Sequence, residues 1–422
     1  MCYIGCLKIK YKIMNDSLIT LNIEHFGPIE KVQIVFDKYT VLIGRQGSGK
    51  STIAKLYSMF TWMEKALARH IITDKYVMLY SRFQKKYCAY HRLESYFRKG
   101  TYINFQGLHY NFIFKDGQFL VEPKDPQEDY HVAKVMYVPA ERNFLSTVDN
   151  TSKLKELPQS LQTFLEEFEN AKEALKTGYN LPFDEVQFEY DSFNKVSWVK
   201  GKDYKIRLSA ASSGYQSVLP LVLVSKYLSK IVQDNTLKKE LDQQEIKQIN
   251  KEIDKIMNDG SLTEDVKFAM ARNVSSRFKY SHFINIVEEP EQNLYPEFQM
   301  TILYELLGYA NAIPMNRVLL TTHSPYIINY FSLGTKAWQL SERLTKRNEL
   351  RKRLFEVVPE HSLINPDFLK IYELKDGNAH FLDNVDGIPS DDNFLNNQLG
   401  MTNEWFDQLL EIEEEIDNGK QE

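Results

Sequence analysis

Residues Gly44-Arg45-Gln46-Gly47-Ser48-Gly49-Lys50-Ser51-Thr52 read G-x-x-x-x-G-K-[ST]. They follow the short apolar run Tyr39–Ile43 and lead into the helical pattern Ser51–Trp62. That strand–turn–helix setting is the one the motif's mechanism requires. Glycines let the backbone curl so that successive N–H groups aim at phosphate oxygens. The following helix adds its positive N-terminal end. Within this cradle Lys50 is placed to reach the β- and γ-phosphates of a nucleotide, and the Ser51 hydroxyl a Mg2+ ion.

Three further segments supply chemistry that fits such a loop. Phe283-Ile284-Asn285-Ile286-Val287-Glu288-Glu289 is an apolar strand that delivers two carboxylates at its end. Glu288 is read as the Mg2+ ligand, through water, and Glu289 as the base for an attacking water. Alternation along a strand is expected to send the two side chains to opposite sides. Val318-Leu319-Leu320-Thr321-Thr322-His323 places His323 just past a buried strand, where it can bond a γ-phosphate or the lytic water. Ser212-Ser213-Gly214-Tyr215-Gln216-Ser217 is a small, hydroxyl-rich turn opening an apolar helix expected from Ser217, a second helix start able to hold an anion.

Composition bounds the remaining choices. The 422 residues carry 52 Lys plus Arg against 57 Asp plus Glu, a formal charge of −5. Bulk coating of nucleic acid is excluded, though a local basic patch is not. Hydrophobic residues at 43% support a large core. Cys2, Cys6 and Cys88 have no metal-ligand spacing and exclude a disulfide framework, so a reducing, cytoplasmic setting is expected. Apolar runs such as Val218–Val224 fall far short of the ~20 residues that span a bilayer, so no membrane partner is expected.

Strand patterns at Leu18–Ile23, Val32–Phe36, Tyr39–Ile43, Val135–Val138, Phe283–Val287 and Arg317–Thr321 alternate with helical ones. This predicts an α/β fold with a mainly parallel core sheet. Tyr102–Phe105, His109–Phe114 and Gln118–Val121, with a turn at Asp116-Gly117, predict an antiparallel β-subdomain. The expected organisation is residues 1–62 as an N-terminal lobe with the phosphate loop, within which 1–13 are a dispensable extension. A helical arm (63–100) and the β-subdomain with the Ser213–Gly214 lobe (101–230) follow. Then come a charged helical insert (231–282, a solvated hairpin or oligomerisation arm), the acidic-strand and His323 lobe (283–335), and a tail (336–422). Basic Lys85, Lys86, His91, Arg92, Arg98 and Lys99 interleave with Tyr87, Tyr90, Tyr96 and Phe97. The alternation suits nucleic-acid contact, but an arm whose aromatics pack inward and whose lysines stay solvated is the favoured reading.

The four elements in this order resemble the ATP-binding-cassette class of P-loop ATPases. They are most similar to its soluble AAA-like branch of SMC and RecF heads, overcoming-lysogenisation-defect nucleases, and ATPase subunits of anti-phage systems such as Septu and PARIS. The resemblance covers about residues 18–335 outside the inserts. It implies an ABC-type P-loop NTPase with ATP and Mg2+ as ligands, Walker A at Gly44–Thr52, Walker B at Phe283–Glu289, the switch His at His323 and a signature at Ser212–Gln216. Ser213 and Gly214 would then act in trans, in a head-to-tail homo-oligomer that sandwiches ATP. Tyr215 stands where that signature carries its second glycine, and Glu288 where an Asp is commoner. The segment Tyr137-Val138-Pro139-Ala140-Glu141-Arg142 is similar to one near the nucleotide in these ATPases, so Arg142 reads as a phosphate or interface sensor or as a structural ion pair. The implied function is a cytoplasmic ATPase that controls a separate effector, a nuclease, in anti-phage defence. The alternatives are a RecF/SMC-like DNA-repair head and a transporter's nucleotide-binding subunit.

Overall fold

A computed structural model describes residues 18–124, 132–149, 151, 154, 156–175, 177–183, 185–236, 243–275, 279–344 and 349–419. The expected extension at 1–13 lies outside them. The sheet opens with β1 (Ile19–Phe26), β2 (Ile29–Phe36) and β3 (Tyr39–Gly44). Helix α1 (Lys50–Ala68) follows, then a short α2 (Asp74–Met78) and a π-turn at Phe83–Cys88. Strands β4 (Phe97–Gln106), β5 (Tyr110–Lys115) and β6 (Gln118–Pro123) form the predicted meander, and β7 (Ala133–Val138) returns to the core. After α3 (Gln159–Glu173) comes a small sheet of β8 (Tyr179–Asn180), β9 (Gln187–Asp191), β10 (Val196–Lys200) and β11 (Lys205–Arg207). Helices α4 (Ser213–Thr236), α5 (Gln243–Met257) and α6 (Glu264–Ser275) lead to β12 (His282–Glu288). The chain ends with α7 (Pro296–Asn311), β13 (Arg317–Thr321), α8 (Pro325–Arg343), α9 (Glu349–Val357), β14 (Leu369–Lys375), β15 (Asn378–Phe381), a two-residue hairpin and α10 (Phe394–Gly419).

Eleven strands form one sheet in the order β6-β5-β4-β1-β2-β15-β14-β3-β13-β12-β7. From β14 to β7 every pairing is parallel. Of these strands β3 and β12 are buried on both faces, which is why they read as mainly apolar runs. Their side chains divide by alternation. Phe283 and Val287 join the core beneath α4, α7 and α8, whereas Ile284 and Ile286 join the core around α1 and the meander. The expected α/β class with a parallel centre and an antiparallel flank is the observed one. Among the described residues no helix is long and apolar enough to cross a membrane.

Three expectations need correction. Residues 63–100 are helical only in pieces, namely the end of α1, α2 and the π-turn at Phe83–Cys88, and they do not project as an arm, since a strand begins at Phe97. Their aromatics are core, with Phe83 stacked on Phe119 at 4.0 Å and Phe97 edge-on to Phe26 at 5.0 Å. Tyr87 and His91 are buried, and Arg98 is engaged by Glu30 and the Ile29 carbonyl. Burial of rings, not base stacking, explains that pattern. The described part of the 231–282 insert is no solvated arm either. Ile253 and Ala271 are fully buried, Phe268 packs on Tyr76, and Arg69 donates to Ser275 Oγ at 3.1 Å. Finally, the 336–422 region is more than a tail, because β14 inserts beside β3 in register from Leu369↔Tyr39 to Leu374↔Gly44.

Glu64 tests the core around α1. Its Oε1 accepts from His109 N at 2.6 Å and Tyr110 N at 3.1 Å, and burial pushes the carboxyl up to about 7 against those bonds. Below the ordinary value of 4.5 both folded and unfolded chains are protonated. Between 4.5 and about 7 the unfolded chain ionises first, so stability falls as pH rises, by on the order of 3 kcal/mol in all. Glu64→Gln keeps an acceptor and removes the titration. In urea unfolding it should gain on the wild type at pH 8 and lose that gain by pH 5; a pH-independent difference would refute the burial argument.

Candidate functional site

Strand β3 runs straight into the phosphate loop. Gly44, Gly47 and Gly49 take φ of 138°, 76° and 103°, a region that L side chains rarely adopt. The need is twofold at Gly49, where a Cβ would also stand 2.8 Å from Ile29 Cγ1. Arg45, Gln46, Gly47 and Ser51 face outward; Lys50 and Thr52 are buried, and Ser48 is partly so. Lys50 Nζ donates to the Gly44 and Arg45 carbonyls, both at 2.8 Å, which curls the ammonium over the loop. Burial lowers its pKa to about 8, opposed by the charges of Glu289, Glu291 and Glu288.

The acid pair arrives from β12, two strands away. Glu288 is the last strand residue, paired with Thr321, and is 3% exposed. Its Oε2 accepts weakly from Ala140 N at 3.4 Å, and its Oε1 is buried with no hydrogen-bond partner. Burial raises its pKa, while Lys55 and the hydroxyls of Ser51 and Tyr137 pull it down. An orphaned carboxylate oxygen beside the Ser51 hydroxyl fits a divalent cation. Among the described residues no cluster of three acidic, His or Cys side chains forms a self-sufficient metal cage. Mg2+ typically takes one or two protein oxygens and completes its shell with phosphate and water.

Glu289 lies beyond the strand. Its φ is 45° and its N–H donates to Thr321 O at 2.9 Å. A left-handed turn, not strand alternation as expected, therefore separates the two carboxylates, and such strain in a non-glycine residue clusters at functional sites. Glu289 Oε1 lies 3.7 Å from His323 Nε2. Burial and the Lys50 charge hold His323 below the ordinary imidazole value, so it is neutral at neutral pH despite Glu289 and the Gly44 backbone.

Lys50, Ser51, Glu288, Glu289 and His323 are thus brought together. Ser213 and Gly214 are not; among the described contacts none joins them directly to that group. They form the first turn of α4, which starts four residues earlier than the expected Ser217. Arg142 requires a correction. It is fully buried, and its guanidinium donates to the carbonyls of Ser217 (3.0 Å), Pro139 (3.2 Å), Glu288 (2.7 Å) and Glu289 (2.6 Å). A side chain so committed to backbone carbonyls is not aimed at a phosphate, and its described hydrogen bonds go to carbonyls rather than to carboxylates. Burial lowers it to about 10 and the surrounding glutamates hold it up, so it stays charged.

Two features escaped the sequence reading. Glu291, two residues past the acid pair, accepts from Thr322 Oγ1 at 2.9 Å and from the His323 N–H at 2.7 Å, which fixes the His323 turn. The acid-rich run was its signal. Helix α10 also reaches the loop: Arg45 stacks on Phe394 at 5.1 Å. A cavity of about 430 Å3 is lined by Arg45, Gln46 and His323 together with Phe394, Gln398 and Leu399. No local pattern announces a contact between segments so distant in the chain.

Comparison with known proteins covers part of this site. Residues 284–329, from β12 through His323, match the family described as "AAA domain, putative AbiEii toxin, Type IV TA system". Among solved structures, the SMC head domain from Thermotoga maritima is 11% identical, with 87% of this chain and 99% of that one covered at a TM-score of 0.35. The Smc head with an extended coiled coil from Pyrococcus furiosus is 9% identical over 87% and 96%, at 0.32. An ATP-binding cassette of an ABC transporter in its ADP conformation is 13% identical over 86% and 89%, at 0.29. No curated protein matches the chain. Likenesses this loose assign no residue a role, and the site's own geometry carries the functional reading.

The loop geometry separates strain from collision. A Cβ at Gly47 would meet nothing within 4 Å, whereas one at Gly49 would collide with Ile29. Gly47→Ala should therefore cost roughly 1 kcal/mol in chemical denaturation, from strain alone, and Gly49→Ala roughly 2–4 kcal/mol. Equal costs would mean that the packing against Ile29 does not hold the loop.

Proposed function

We propose that this chain is a Mg2+-dependent ATPase of the ABC/SMC-like P-loop kind, that it pairs head to tail around ATP, and that it controls a separate effector, a nuclease, in bacterial anti-phage defence. The reading is carried by the convergence of Lys50, Ser51, Glu288, Glu289 and His323 at the carboxyl ends of three adjacent parallel strands. That edge is where α/β sheets take their ligands.

The chemistry follows from these side chains. The loop N–H groups, the start of α1 and the Lys50 ammonium bind the β- and γ-phosphates. Ser51 and Glu288 would hold Mg2+, which supplies neutralisation of phosphate charge. Glu289 orients a water in line with the γ-phosphorus and takes its proton as the bond to the β-phosphate oxygen breaks. His323 donates or accepts one hydrogen bond at that water or at the γ-phosphate, and Glu291 fixes its backbone. Among the described contacts none joins Ser213 or Gly214 to their own loop, and in this reading they complete the site of a second copy. ATP shared in that way binds the closed pair better than the open one, the differential affinity needed to drive association.

Support for a separate effector comes from α10. Trp405, Leu409, Ile412 and Ile416 recur at helical spacing and are each more than half exposed. Glu404, Asp407, Glu411, Glu414 and Glu415 occupy the opposite face, and residues 394–419 include no Lys or Arg. Such a helix suits a partner that offers an apolar groove with a basic rim. Its first turn borders Arg45 and His323, close enough to feel the nucleotide. The matched family's description names a toxin system, which is consistent with a defence role.

Lys50→Ala should abolish nucleotide binding measured by calorimetry. Glu289→Gln should keep it, lower turnover by about 10²–10⁴-fold and trap the oligomer in sedimentation with ATP. Turnover at the wild-type rate in Glu289→Gln would overturn the base assignment. Leu409→Glu should leave ATP turnover intact and abolish co-purification with the product of an adjacent gene. If no neighbouring product associates with the wild-type chain, the effector reading falls.

A further inference from the structure

Arg142 is among the largest side chains wholly shut from solvent. Burying a charge is costly unless every bond it can make is supplied. Here the supply comes from three separate places: Pro139 in its own turn, Glu288 and Glu289 at the end of β12, and Ser217 in the second turn of α4. Satisfying one cation does not require partners from three elements. Their choice ties the acid pair to the helix that begins at Ser213.

The junction with α4 is built for this. Pro220 lies inside α4 and has no N–H, so the Gln216 carbonyl one turn earlier loses its helical partner. Ser146 Oγ, from the same 3-10 turn as Arg142, donates to that carbonyl at 2.8 Å. Arg142 Nε takes the next carbonyl, Ser217. From the other side Asn293 Nδ2, just past the acid pair, donates to Ser217 Oγ at 2.9 Å. The start of α4 is thus gripped by the turn that carries Arg142 and by the loop that follows Glu289.

We propose that Arg142 is a positioning residue that couples the Ser213–Gly214 end of α4 to the acid pair, so that a displacement of this helix start moves Glu289 into or out of line with its water. This rests on the ATPase reading above. The guanidinium is a rigid planar fork with its bonds fixed relative to one another. A shift of the Ser217 carbonyl must either carry the Glu289 carbonyl with it or break charge-assisted hydrogen bonds. Glu289 is the residue most sensitive to such a pull, because its left-handed backbone is held rather than preferred. When a second copy's γ-phosphate meets Ser213 and Gly214, the contact would be reported within the same subunit to its own Glu289. The two sites of a head-to-tail pair would then fire in a coupled way.

Arg142→Lys keeps the charge and loses the fork. It should leave the Kd for Mg-ATP within threefold of wild type and lower kcat at least tenfold, with the Tm showing a folded protein. Ser146→Ala with Asn293→Ala, which loosens only the α4 side of the junction, should lower kcat severalfold with the same unchanged Kd. Combined with Gly214→Ala, Arg142→Lys should give a kcat loss well short of the product of the single losses, since both act on one step. A folded Arg142→Lys with wild-type kcat overturns the proposal, and so does a multiplicative double mutant. Parallel loss of Kd, kcat and Tm in both the Arg142 and the Ser146/Asn293 variants would mark a purely structural clamp and overturn it as well. A wild-type chain that does not hydrolyse Mg-ATP would instead defeat the ATPase reading itself.

Discussion

The parallel pairing of β3 with β13, and of β13 with β12, is the constraint from which the site follows. Leu42 is registered with Thr321, and Thr321 with Glu288. The ladder continues past the strand ends, where Thr322 N donates to Leu42 O at 3.0 Å and Glu289 N to Thr321 O at 2.9 Å. Parallel strands leave a sheet at the same edge. Three loops from distant parts of the chain are therefore obliged to emerge side by side, and each brings one kind of chemistry: backbone donors with Lys50, the carboxylates, and His323.

What these loops assemble is electrostatically expensive. Burial depresses Lys50 and Arg142 and raises Glu288 and Glu291, so each of these four charges is disfavoured by burial and sustained in part by its neighbours. Glu288 and Glu291 each keep a buried carboxylate oxygen without a partner. A site with this much unspent polarity is preorganised: its dipoles and charges need little rearrangement when an anion and a divalent cation arrive. Arg142 contributes to the same economy from beneath, by holding the carbonyls of the acid pair while its own charge balances theirs.

The periphery obeys a different logic. The aromatics of residues 83–97 and the described helices of the insert close the second core around α1, and α10 leaves the body with its apolar face exposed. The molecule thus combines a rigid centre, where strands are buried on both faces, with a helical projection whose first turn touches the phosphate loop. Such a geometry lets a local change at the loop be felt at a distance from it.

Local spacing was enough to read the phosphate loop, the acidic strand, the His323 turn and the β4–β6 meander. Each depends on neighbours in the chain: glycines at fixed offsets, alternation along a strand, an Asp-Gly turn whose two residues take φ of 52° and 77°. From these the α/β class and the membership of Lys50, Ser51, Glu288, Glu289 and His323 in one site were legible. The seat of β14 beside β3, the carbonyl clamp of Arg142 and the contact of Phe394 with Arg45 were not. Hydrophobic periodicity says which face of an element is covered and never by what. A buried cation looks the same in sequence whether it meets a phosphate or a backbone carbonyl, and only the closing of the sheet decides between them.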